Sequence, residues 1–222
     1  MNEKSREYYL LDFDRCLADT DKLAEVFFDK VGAHTGITKD QLDLARRDVE
    51  SSGGSFDAVA YIQDKLEASG ESQIFELIER DFIDSVRADD YLLPGARELL
   101  QKLENLQHGI MTYGGERWQR MKIAAVALDN VATLITATPK KGQLIASWQQ
   151  SDSTFKLPRE LNSNDQAFGS VVLIDDKAVS FRELPSNAKG YQVLPSGNVL
   201  PSQAGDLPDN VTRVETLRDI DI

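Results

Sequence analysis

The stretch YLLDFDRCLADT, residues 9–20, runs from an apolar, strand-like segment straight into two aspartates spaced one residue apart, Asp12 and Asp14. Side chains alternate faces along a strand, so carboxylates at i and i+2 point the same way and repel each other unless a cation or a reaction uses them. The residues that could answer this charge lie far downstream, and the pattern of elements shows how they would reach it.

Tyr8 to Leu11 is a short apolar run of the kind that forms a buried strand. From about Asp21 to Arg87 the spacing changes to three and four residues, predicting about four helices broken at Gly36, Gly53-Gly54 and Gly70. Pro94 and Gly95 then precede a helix whose apolar side is Ala96, Leu99, Leu100, Leu103 and Leu106. Beyond it the segments HGIMTYGG, VATLIT, SVVLIDDK and GYQVLP read as strands, and ERWQRMKIAAVALD and KGQLIASWQQ as helices. Such alternation predicts an α/β fold: a doubly wound, mostly parallel sheet covered by helices on both faces. The helical block interrupts it after the first strand. We therefore expect a core from residues 1–18 and 92–222 and an all-helical insertion over 19–91. The tail from Pro195 is rich in proline and glycine and reads as loop, with VTRVETLRDIDI as one last element on the core surface.

The bulk composition narrows the partners. The chain has 222 residues and a formal charge of −12, with no basic cluster, so the electrostatic footprint for nucleic acid or anionic lipid is missing. A small anionic substrate would need a local positive centre, such as a metal ion, a lysine or a helix N-terminus. Cys16 is the one cysteine, which excludes an intrachain disulfide, and no run of residues approaches a membrane span. The expectation is a cytoplasmic protein, a monomer or small homo-oligomer, that does not work at a membrane.

Four places lie at or just beyond the downstream ends of predicted strands: Asp12 with Asp14, Thr112, the Lys140-Lys141 pair, and Asp175-Asp176. In an open parallel sheet, ligands bind outside the carboxyl ends of the strands, so these residues could meet. Together they hold what phosphoryl transfer needs. There is a carboxylate nucleophile, a second carboxylate to move protons, oxygen ligands for a hard cation, and a hydroxyl and an ammonium for phosphate oxygens. A cation belongs to this scheme because an aspartate does not readily approach an anionic phosphate unless the repulsion is offset.

In order and position these segments resemble the haloacid dehalogenase-like superfamily: DFDRCLADT its first motif, MTYGG its second, the lysine of PKKGQL its third and VVLIDDK its fourth. The helical block resembles the cap domain placed after the first strand. The resemblance implies a Mg²⁺-dependent phosphatase acting on a small phosphorylated metabolite through an aspartyl-phosphate. Asp12 would be the nucleophile and Asp14 the acid/base, which sets the chain beside phosphatases and phosphomutases rather than dehalogenases or transport ATPases. Thr112, with Tyr113 and Gly114 beside it, would bind phosphate. Lys141, chosen over Lys140 because Gly142 follows it, would neutralise charge. Asp176 would hold the metal with Asp12, the backbone carbonyl of Asp14 and Asp175 in support. A phosphomutase, or a binding module that keeps the fold without turnover, are the alternatives.

Two residues depart from the family pattern. Arg15 stands where glycine is common and Cys16 where threonine or valine is common. Arginine loses backbone freedom at a turn, and it would either reach the substrate or point to solvent. Each feature also has an ordinary reading: Asp-X-Asp as a strand end, Thr112 or Asp175 as a helix cap, Lys-Lys as a solvated face, Cys16 as a small hydrophobe. His34 and His108 fall in no motif, Trp118 suits helix packing, and SSGGSF at 51–56 is either an interhelix turn or a specificity loop.

Overall fold

The computed structural model describes residues 6–52, 56–194, 200 and 203–222. The Gly53-Gly54 centre of the SSGGSF loop and Pro195, Gly197 and Pro201 of the tail lie outside the described residues. In chain order the elements are β1 (Glu7–Leu11), α1 (Thr20–His34), α2 (Lys39–Ser51), α3 (Ala58–Ser69), α4 (Ile74–Arg87), α5 (Ala96–Leu103), β2 (Gln107–Tyr113), α6 (Glu116–Ala125), β3 (Thr133–Thr136) and α7 (Lys141–Ser147). They continue with β4 (Phe155–Lys156), β5 (Ala167–Phe168), β6 (Ser170–Asp175), β7 (Lys189–Val193) and β8 (Val211–Val214). The chain divides into two compact units, one made of Met1–Ala18, Leu92–Thr112 and Val131–Ile222, the other of Asp19–Tyr91 and Tyr113–Asn130.

The first unit carries a six-stranded sheet in the order β3-β2-β1-β6-β7-β8. Its centre is the parallel pair β1 and β6, in register from Glu7 against Ser170 to Leu11 against Ile174. Both strands are continuous apolar runs because both faces are covered. On one face Tyr8, Leu10, Val171, Leu173 and Met111 pack with Ile145, Phe155, Phe168 and Phe181. The Tyr8 ring meets Phe168 edge-on at 5.0 Å, and its hydroxyl donates to the Leu161 carbonyl at 2.6 Å with the His108 carbonyl oxygen 3.0 Å away, so a polar atom enters the core without being orphaned.

The strand and helix alternation holds up to α7 and then lapses. The β6–β7 connection carries a 3-10 helix, Ala178–Phe181, and not an α-helix. The tail contributes β8 to the sheet edge, pairing with β7 from Gly190–Val211 to Val193–Val214. Four residues with two exposed side chains carry too little apolar pattern to announce a strand. The two-residue antiparallel pair β4–β5 is silent in the sequence for the same reason.

In the second unit α1 buries Leu23, Ala24, Phe27, Phe28 and Val31, a stripe at three- and four-residue spacing. Phe27 meets Phe82 edge-on at 5.5 Å and lies 4.8 Å from Trp118, which is itself 5.6 Å from Phe82, so one aromatic cluster joins α1, α4 and α6. His34 pairs with Asp81 at 2.8 Å, linking α1 to α4. No helix among the described residues is long and apolar enough to cross a membrane.

Two backbone positions in the first unit invite a direct comparison. Gly142, in the first turn of α7, lies against the main chain of the 182–184 segment, where a Cβ would overlap the Arg182 carbonyl oxygen and come within 3.0 Å of the Leu184 nitrogen. Gly142→Ala should cost about 1–3 kcal/mol through overpacking, read as a lower urea midpoint. Arg15 adopts φ 59, a left-handed conformation costing an L-residue roughly 1 kcal/mol, so Arg15→Gly should leave that midpoint unchanged or raise it.

Candidate active site

Asp12 follows β1 directly, and its amide donates to the Ile174 carbonyl at 2.8 Å, extending the central ladder by one residue. The chain then turns sharply: the Phe13 carbonyl accepts from the amides of Cys16, Leu17 and Ala18, and the Arg15 amide donates to the Ala18 carbonyl. This tight loop is what forces Arg15 into its left-handed conformation. Cys16 is buried beneath it with Sγ 3.9 Å from the Ile174 carbonyl oxygen, and burial pushes its thiol well up, so no thiolate is available.

The central strand pair also delivers Asp175 and Asp176, at the end of β6 and just past it. Oxygens of Asp12, Asp175 and Asp176 all lie within 4.8 Å of one another, and all three side chains are buried. Lys141, the first residue of α7, is itself buried and places its ammonium between two of them, 2.5 Å from Asp12 Oδ1 and 2.6 Å from Asp175 Oδ2. Lys140, one residue earlier, is exposed. Its amide donates to Thr138 Oγ1 in the turn that starts the helix.

The remaining oxygens divide unequally. Asp175 Oδ1 accepts the Lys177 amide at 2.8 Å, so both oxygens of Asp175 are engaged. Asp176 Oδ2 accepts from Gln203 Nε2 at 3.0 Å. Asp12 Oδ2, Asp176 Oδ1 and Thr112 Oγ1 are buried without a hydrogen-bond partner. Such atoms are costly unless a ligand answers them, and two carboxylate oxygens with a hydroxyl suit a hard cation and an oxyanion.

Crowding shows in the titration. Burial, then the charge of Asp175, raises the Asp12 carboxyl to about 7 against the pull of Lys141 and Lys177. Burial and Asp175 likewise raise Asp176 to about 6. The carboxylates hold Lys141 in its charged form, raising its pKa despite its burial. Lys177 is also raised, by Asp12, Asp176, Asp175 and Asp14, against the effect of its own burial.

Of the residues singled out in the sequence, the structure therefore gathers Asp12, Asp175, Asp176 and Lys141 into one buried cluster. Thr112 lies on the neighbouring strand, two residues past Ile110, the partner of Leu11. Asp14 and Arg15 are half-buried in the turn. Tyr113 and Gly114 follow Thr112 in the chain but belong to the helical unit; the Tyr113 carbonyl accepts from Gln119 Nε2 at 3.0 Å, and Gly114 has φ 148. His108 is not in the cluster; its Nδ1 faces the Leu106 carbonyl oxygen at 3.1 Å.

Sequence reasoning missed Lys177, whose only signal is its adjacency to the aspartate pair, and Gln192 and Gln203. The two glutamines carry no motif at all. They are buried polar side chains on β7 and in the tail, and the fold alone brings them to Asp176.

No family model and no curated protein matches this sequence. Among solved structures, a haloacid dehalogenase-like hydrolase from Burkholderia xenovorans LB400 aligns over 96% of this chain and 94% of its own at 16% identity and a TM-score of 0.60. A HAD hydrolase from Bacillus subtilis, bound to magnesium, aligns over 96% and 95% at 12% identity with a TM-score of 0.54. The L-2-haloacid dehalogenase from Xanthobacter autotrophicus aligns over 96% and 96% at 14% identity with a TM-score of 0.53. At such identities the likeness speaks for architecture and not for a reaction. The chain has the fold of the haloacid dehalogenase-like hydrolases.

Proposed function

We propose that the protein is a Mg²⁺-dependent phosphatase that hydrolyses a small phosphorylated metabolite through an aspartyl-phosphate on Asp12. The observation that carries this reading is the set of partnerless buried oxygens, Asp12 Oδ2, Asp176 Oδ1 and Thr112 Oγ1, beside a buried ammonium. The charge of the set favours a divalent ion: three buried carboxylates face the ammonium groups of Lys141 and Lys177, leaving one negative charge over. An added Mg²⁺ turns this to a net positive charge, which an anionic phosphate can approach. Asp12 and Asp176, with the Asp14 main-chain carbonyl, would hold the ion. Asp175, whose oxygens are already engaged, would stand behind them. Bound there, the ion screens the phosphoryl oxygens and orients the group.

The chain's own residues supply the rest. Lys141 takes one lone pair of Asp12 Oδ1, whose other lone pair would serve the ion, and Oδ2, without a partner, would be the attacking oxygen. That oxygen attacks phosphorus as the bond to the substrate's ester oxygen breaks, and Asp14 in its protonated form gives its proton to the leaving alkoxide. Asp14, now ionised, takes a proton from water as the water oxygen attacks phosphorus. The bond to Asp12 breaks, and inorganic phosphate and the free Asp12 carboxylate return. Thr112 donates its hydroxyl to a phosphoryl oxygen. Lys141 favours the ionised form of Asp12 against its burial and the charge of Asp175, and holds the side chain in place.

Dehalogenation, the reaction named for one fold neighbour, leaves Asp14 without a task, since a halide departs without a proton. A module that binds phosphate without turnover would keep the cluster and lose the reaction. With Mg²⁺, the wild type should release phosphate from a generic aryl phosphate or from a member of a phosphometabolite panel. Asp12→Asn should abolish this, and Asp14→Asn should lower kcat about 10²- to 10⁴-fold. Absence of both phosphate release and an acid-labile phosphoenzyme across the panel would sink the enzyme reading.

The raised carboxyls of the metal-free cluster also set a sign for stability. Unfolded, they titrate near about pH 4. Folded, Asp12 and Asp176 titrate at about 7 and about 6, so across that window the native state holds protons the unfolded chain has lost. Stability without metal should therefore fall as pH rises from about 4 to about 7. Mg²⁺ should raise the Tm more at about pH 8 than at about pH 5, since protons compete for the same oxygens. Equal shifts at both values in a thermal melt would contradict the metal assignment.

A further inference from the structure

We infer that Gln203, from the tail segment between β7 and β8, is a positioning residue for the metal ligand Asp176, and that Arg213 on β8, by orienting Gln192, holds the main chain of both residues in place. The inference rests on the metal-dependent reading of the site and extends it to the last strand of the sheet.

An amide side chain can present either its oxygen or its NH₂ group to a neighbour, and only its other contacts decide which. Here each contact is decided. Arg213 and Gln192 are register partners on β8 and β7, and Arg213 Nε donates to Gln192 Oε1 at 3.0 Å. This pins the oxygen of Gln192 outward and turns its Nε2 inward, where it donates to the Asp176 carbonyl at 3.0 Å and the Gln203 carbonyl at 2.7 Å. Gln203 Oε1 accepts from the Leu200 amide at 3.0 Å, so its Nε2 is the end left to face the cluster, donating to Asp176 Oδ2 at 3.0 Å. Both glutamines are buried, at 0% and 7% exposure, where an amide turned the wrong way would set oxygen against oxygen.

The consequence falls on Asp176. With Oδ2 committed to Gln203, its free lone pairs are on Oδ1, the oxygen that has no partner. Gln203 thereby fixes which oxygen faces the ion and holds the carboxylate's rotation.

The test titrates Mg²⁺ into the purified full chain by calorimetry and records the metal-free unfolding midpoint separately. Gln203→Met keeps the length of the side chain and removes both hydrogen bonds. It should raise the Mg²⁺ dissociation constant about 10- to 100-fold. Arg213→Met alters an exposed position and frees Gln192 to turn, so it should raise that constant in the same direction by a smaller factor. It decides the question alone if Gln203→Met does not fold. A merely structural glutamine would lower the metal-free midpoint and leave the dissociation constant in place. That result in the folded variants overturns the inference and leaves the phosphatase reading standing. A wild type that binds no Mg²⁺ overturns both.

Discussion

The buried ammonium of Lys141, shared between Asp12 and Asp175, is the interaction around which the sheet-bearing unit is arranged. Each charge has left water, which costs several kcal/mol per ion, and only close contact with the opposite charge returns it. The location adds a small penalty, because a cation at a helix N-terminus opposes the helix dipole by about 0.3–1 kcal/mol. Two carboxylate contacts at 2.5 and 2.6 Å outweigh that term. Such a triad is a poor way to gain stability, since an apolar substitute of the same volume commonly does as well. Its presence at the strand ends is better explained by chemistry that needs ionised groups held without water.

The fold serves this contact from three directions. β1 and β6 are adjacent and central, so their carboxyl ends bring Asp12 and Asp175 together with no freedom to separate. The start of α7 must come close enough for Lys141 to reach them, and Gly142 allows it by lying against the main chain of Arg182 and Leu184. The tight turn after Asp12 returns the chain within a few residues. There Arg15 adopts the left-handed conformation that glycine takes without penalty, and carries the strain. Neither Arg15 nor Cys16 removes a group from the cluster.

Much of this was legible in the sequence because its signals are local. The runs YYLL and VVLI are continuous apolar strands ending in aspartates, and each marks its own end. The stripe Leu23, Phe27, Val31 marks a helix in the same way. What escaped depends on contacts with no period. In PKKGQL the following Gly142 pointed to Lys141, but its burial beside an exposed Lys140 is set by one residue of helix phase. β8 is too short to show alternation, and Gln203 stands in a proline- and glycine-rich segment that reads as loop. Its role exists only once β8 has joined the sheet and Arg213 has turned Gln192 inward.

The adjacent aspartates of VVLIDDK show why two carboxylates in a row are not redundant. Asp175 closes β6 with both oxygens engaged, one on Lys141 and one on the Lys177 amide, so it serves first as a fixed counter-charge. Asp176 is tied through one oxygen only and keeps the other free. With all three carboxylates ionised, Lys141 and Lys177 leave the buried set a single charge short of neutral, in a protein whose formal charge is already −12. Under the proposed phosphatase reading, attack by Asp12 on an anionic phosphate therefore depends on a cation at the open oxygen of Asp176.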